Sequence, residues 1–158
     1  FYNRNIHIEQ TRSSIRTKRA KTERSTTTTI ADDPDLLGWN LEADTNYRVE
    51  GWIEVDSNAA ADFKSLFSFT NAVQTRAIVI NWLNNPSVLQ SVQTTANEAL
   101  TSWPGTQTLY GQIGGMFKTN ATTGGTVDFQ WSPINSDAYL TTIEEGSWIK
   151  ISKLHDEN

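Results

Sequence analysis

Apolar and polar residues alternate through this chain in short stretches, and the longest of them begins at Tyr47. Tyr47, Val49, Gly51, Ile53 and Val55 fall on one face of an extended segment, with Arg48, Glu50, Trp52 and Glu54 on the other. Side chains of a strand alternate faces, so this pattern predicts a half-buried antiparallel strand with one dry side. The same period recurs downstream. Phe63, Phe67 and Phe69 share an inward face, as do Leu109, Gly111, Ile113, Gly115 and Phe117. Val127, Phe129 and Trp131 make a third such face, and Ile149 with Ile151 a fourth. Residues 77–83 are apolar on both faces and predict a strand covered on both sides. Val88 to Thr95 alternates weakly, while Thr95 to Thr101 reads as a loop or one helical turn.

Breaks fall at Asn84-Asn85-Pro86, at Trp103-Pro104-Gly105 and at Glu145-Gly146, and Asn120 to Gly125 reads as a hairpin connection. The threonine-rich run from Ser25 to Ile30 predicts an edge strand. Asp32-Asp33-Pro34-Asp35 predicts a turn, because proline presets φ and aspartate side chains bond nearby amides. About eight short strands with no convincing helix predict an all-β fold. The expected architecture is an antiparallel two-sheet β-sandwich of jelly-roll type.

Residues 1–24 lack any sustained period and differ in charge. They carry Arg4, Arg12, Arg16, Lys18, Arg19, Lys21 and Arg24 against Glu9 and Glu23, a net of +5. The remaining 6 basic and 16 acidic groups leave residues 25–158 at −10. We therefore expect two parts, a basic extended N-terminal arm over 1–24 and a sandwich domain over 25–158. Such a polar arm cannot offset its own ordering entropy, so it is either a flexible tail or an arm that takes its order from a partner surface, and the second is the expected reading. The seven basic residues are the candidate arm contacts. Nucleic acid is disfavoured as that partner, because the acidic body repels phosphate; an acidic neighbouring subunit accounts for both signs.

Two motifs, one towards each end of the sandwich domain, carry a resemblance. The Asp32-Asp33-Pro34-Asp35-Leu36 turn leads into the Asn46-Tyr47…Glu50-Gly51-Trp52 strand, and the chain closes on Glu145-Gly146-Ser147-Trp148-Ile149-Lys150-Ile151. Together they resemble a β-sandwich domain of tailed-bacteriophage virion structural proteins, found on capsid-attached or tail-attached parts. The resemblance covers most of Asp32 to Leu154 and implies a fold and a setting, since neither motif is catalytic. It implies a virion location on capsid surface or tail, partners such as the major capsid protein or tail components, and a homo-oligomer. The expected role is capsid decoration or cementing through the arm. The alternative is a carbohydrate-binding module or adhesin tip using exposed tryptophan.

Candidate chemistry changes this picture little. The chain has 158 residues, no cysteine and two histidines, His7 and His155, both outside the core pattern. Disulfides and thiolate metal sites are thereby excluded. No nucleophile elbow, phosphate loop or metal-ligand spacing occurs, so neither an enzyme nor a cofactor is expected. Asp128 and Glu144 are a carboxylate pair only if folding happens to join them. The carboxylates of Asp32, Asp33 and Asp35 could chelate calcium, but their spacing is not that of an EF-hand, which favours a structural turn. No apolar run approaches the roughly 18 residues of a membrane span. No secretory leader is visible, and the chain opens on Phe1 rather than Met, so a start that is processed, trimmed or left out is expected.

Six tryptophans remain. Trp131 shares the inward face of its strand. Trp52 and Trp148 fall out of phase with their buried neighbours and are the candidate interface, since aromatic residues bury large areas at low entropic cost. Stacking on a sugar ring would use the same two residues.

Overall fold

A computed structural model describes residues 13–57, 63–71, 73–83, 90–93, 100–102, 107–136 and 138–154. Every regular element among the described residues is a strand. In chain order these are β1 (Ser13–Thr17), β2 (Thr22–Arg24), β3 (Ala31–Asp32), β4 (Trp39–Leu41), β5 (Asn46–Ser57), β6 (Phe63–Phe69) and β7 (Val73–Trp82). There follow β8 (Gln90–Gln93), β9 (Leu100–Ser102), β10 (Gln107–Thr119), β11 (Gly125–Ser132), β12 (Thr141–Ile143) and β13 (Trp148–Lys153).

They form two antiparallel sheets. The larger runs β1-β13-β5-β10-β7-β8, with β12 beside β5 and β2 beside β12. The smaller runs β3-β11-β6-β9, and β4 also pairs with β11. At the centre of the large sheet, β5 lies between β13 and β10, so its alternation is expressed on both sides. Its inward residues Val49, Ile53 and Val55 have no solvent exposure. Phe69 of β6 meets Phe117 of β10 edge-on with ring centres 5.0 Å apart, and Phe63 meets Trp82 of β7 at 5.9 Å. Such contacts across the sheets make one aromatic core.

One polar residue also crosses that core. Gln93 of β8 is fully buried, and its amide accepts from Phe67 N–H and donates to Phe67 C=O, each at 3.0 Å. The side chain thus takes both main-chain groups of Phe67, satisfying polar atoms that burial would otherwise penalise.

Several sequence expectations change. Residues 13–24 are drawn into the body as β1 and β2 rather than standing apart from it. An edge strand such as β1 is held by main-chain bonds and keeps polar, exposed side chains, so it has no apolar period to read. The run Ser25 to Ile30 is not a strand: Thr26 has φ 54°, and Thr29 N–H bonds Thr27 Oγ1. Short hydroxyl side chains here compete with ladder pairing.

Residues 120–124 cross from the large sheet to the small one, because β10 and β11 belong to different sheets, so they are no hairpin. Strand β7 is covered on one side only. Ile78, Ile80 and Trp82 are buried, while Ala77 and Val79 on the opposite face are half-buried. The loop or helical turn expected before Thr101 falls largely on residues 94–99, outside the described residues, and its end is β9.

Candidate functional site

The large sheet turns one face to the core and the other outward. Antiparallel register places partners on the same face, so the outer face can be read row by row. Trp52 of β5 is flanked by Trp148 of β13 and Gln112 of β10, with Asn81 of β7 beyond Gln112. In the next row Glu50 lies between Lys150 and Gly114, with Ile15 beyond Lys150 and Val79 beyond Gly114. The expectation that Trp52 and Trp148 point away from the core agrees with this register. Both are half-buried, whereas Trp39, Trp82 and Trp131 are no more than 2% exposed.

The pair extends into a wider aromatic surface. Tyr110 stacks on Trp52 with ring centres 5.9 Å apart and planes 28° from parallel. Beside them Arg48 Nη2 lies 2.9 Å from Glu50 Oε1, and Lys150 Nζ lies 3.8 Å from Glu50 Oε2. Both cations share one carboxylate, which leaves the cluster with a formal excess of one positive charge. Between the ion pairs and the tryptophans is a hollow of about 350 Å³, lined by Trp52, Trp148, Gln112, Asn81, Glu50 and Gly114. Gly114 helps to keep it open, since a Cβ there would have no atom within 4 Å. No protein-family model matches the chain, and no curated protein matches it.

The basic residues singled out near the N-terminus scatter in role. Arg4 and Arg12 lie outside the described residues, as do His7 and His155. Exposed Arg16 donates to the carbonyls of Leu37 and Gly38, at 3.3 Å each. Arg19 is exposed and uses its main-chain N–H on Asp35. Exposed Lys21 pairs with Glu23 at 2.6 Å; the hydrogen bond its ammonium donates to that carboxylate, then the carboxylate's charge, raises the Lys21 pKa. The Arg24 guanidinium lies 4.3 Å from the Trp131 ring centre and donates to the carbonyls of Ala31, Asp32 and Trp131. Burial lowers its pKa, with Asp33 and Asp32 acting against that shift.

Lys18 is buried. Its ammonium lies 3.2 Å from Asp33 Oδ1, 3.1 Å from Asp35 Oδ2 and 2.5 Å from Thr22 Oγ1. Asp33 in turn accepts from the main-chain N–H groups of Asp35 and Leu36 and from Trp131 Nε1. These contacts make the acidic turn a receptor for Lys18, and among the described residues no carboxylate cluster is arranged to hold a metal ion. Asp128 and Glu144 stay apart in role: Asp128 accepts from Gly38 N–H, and Glu144 accepts from Thr142 Oγ1. The Lys18 contact was missed in the sequence because an isolated lysine in a charged run reads as solvated surface. Its one signal is the unusual density of aspartate in a turn that must be neutralised once buried.

Proposed function

We propose that this chain is a non-enzymatic structural protein of a tailed-phage particle, acting by binding rather than by chemistry. In this reading it sits on the capsid surface, its basic N-terminal segment ties it to the particle, and the outer face of the large sheet meets a partner. The carrying observation is the cross-strand Trp52–Trp148 pair, held in register on the outer face of the large sheet and partly exposed there. Large aromatic side chains left partly exposed are characteristic of recognition surfaces. The setting rests on the resemblance of the Asp32 turn, the Tyr47 strand and the Ser147-Trp148 ending to phage virion domains.

We read the sandwich as a jelly roll. Its support is the strand order, in which β1-β13-β5-β10 and β4-β11-β6-β9 exchange the chain between sheets, with β7 and β8 added at one edge. Attachment would fall to residues before β1, including Arg4 and Arg12, together with exposed Arg16 and Arg19. Mass spectrometry of purified particles from a phage encoding this chain tests the reading. The chain should be present at a fixed copy number through repeated density-gradient purification; its absence from such particles would refute it.

A further inference from the structure

From the outer face of the large sheet we infer a saccharide-binding subsite: the hollow over Gly114 takes a pyranose ring of a β-linked glucosyl or N-acetylglucosaminyl chain. This rests on the reading of that face as the contact surface and names what it contacts.

Two features of the hollow select a sugar. A pyranose with equatorial hydroxyls presents flat C–H faces and a polar rim. Trp52 and Trp148, side by side on neighbouring strands, both line the hollow and supply apolar ring surface for such a face, while Tyr110 stacks on Trp52 and steadies its ring. The rim needs fixed, charged or amide groups that bond vicinal hydroxyls. Glu50, held by Arg48 and Lys150, and the amides of Gln112 and Asn81 lie around the same hollow. Its volume of about 350 Å³ lies at the small end of the roughly 300–1,000 Å³ typical of small-molecule sites.

The same face suits a tightly packed protein partner poorly. Interface cores are depleted of charge, and burying Arg48, Glu50 and Lys150 beneath a dry partner would desolvate three ions at once. A hydrated sugar leaves them wet.

The test uses the full chain with cellohexaose and chitohexaose as probes, read by intrinsic tryptophan fluorescence and by saturation-transfer NMR. These two probes separate plain glucosyl from N-acetylglucosaminyl recognition. Binding of at least one is expected. Trp52→Ala, which removes stacking surface, and Gly114→Phe, which fills the hollow from a position with open space, should each weaken it at least about tenfold. Unchanged thermal unfolding of the Gly114→Phe variant would show that any loss is local.

Failure of both probes to bind overturns the inference, as does binding that survives Gly114→Phe in the folded protein. If neither probe binds while Trp52→Ala abolishes incorporation into particles, the face is a protein contact and the structural reading stands without the sugar. If the chain is absent from particles but sugar binding follows the two variants, the subsite stands and the virion reading falls.

Discussion

The ammonium of Lys18 lies 3.2 Å from Oδ1 of Asp33, and neither side chain has any solvent exposure. The pair fastens the basic segment to the acidic turn, so opposite charges that look like separate surfaces in the sequence meet inside one fold. Main-chain bonds reinforce it, from Lys18 N–H to Ser147 C=O at 2.7 Å and from Gly146 N–H to Lys18 C=O at 3.1 Å. Removing one partner of a buried pair leaves an uncompensated charge, which typically costs about 3–5 kcal/mol. Lys18→Met should lower the unfolding free energy on that scale in urea titration. Lys18→Met with Asp33→Asn should lose less than the two single changes added together, because each single change already breaks the same pair.

Asp35 gives this lock a pH dependence. Burial raises its pKa, but the hydrogen bonds from Lys18 and the Arg19 N–H, with the charges of both residues, outweigh that and hold it below the ordinary 3.8. A carboxyl depressed in the folded state contributes stability above its unfolded pKa and loses it as pH falls through the folded value. Stability should therefore decline below about pH 4. In Asp35→Asn, thermal unfolding followed from pH 6 to pH 2 should show a shallower decline than in the unaltered protein.

The buried amide of Gln93 offers an independent check on sheet-to-sheet packing. Gln93→Leu keeps the approximate volume but leaves the N–H and C=O of Phe67 without the partners seen at 3.0 Å. Each orphaned buried group costs about 1–3 kcal/mol. Denaturant unfolding should show a loss in this range or above, against a smaller loss for Gln93→Glu at a pH where the new carboxyl is protonated.

Truncation separates the two halves of the basic segment. Deleting residues 1–12 should leave a folded protein, because β1, Lys18 and β2 remain. Deleting residues 1–24 removes both strands, the Lys18 lock and the Arg24–Trp131 contact, and should give a markedly lower melting temperature or an insoluble product. Circular dichroism melts of the two forms decide between this outcome and an arm dispensable along its whole length.

Legibility in the sequence followed side-chain burial. Strands β5, β10, β11 and β13 alternate because one face is dry, and the same alternation put Trp52 and Trp148 outward. Strands β1 and β2 were illegible as strands: they are held by ladder bonds to β13 and β12, and main-chain pairing leaves no trace in side-chain type. The hollow was illegible too, since it depends on Gly114 falling beside Glu50 in the register of β10 against β5. Glycine in that strand reads as a bend before it reads as a space.

The claim that the outer face of the large sheet is where this protein binds is tested most directly by hydroxyl-radical footprinting of the full chain. Oxidation of Trp52, Trp148 and the 44% exposed Met116 would be compared in the free protein, in assembled particles and with added bacterial envelopes. Protection of these three residues in at least one bound state is expected, with Tyr139 and Leu140, 63% and 50% exposed, left unchanged. Equal oxidation of Trp52 and Trp148 in all three states, with protection appearing at Tyr139 and Leu140, would contradict it.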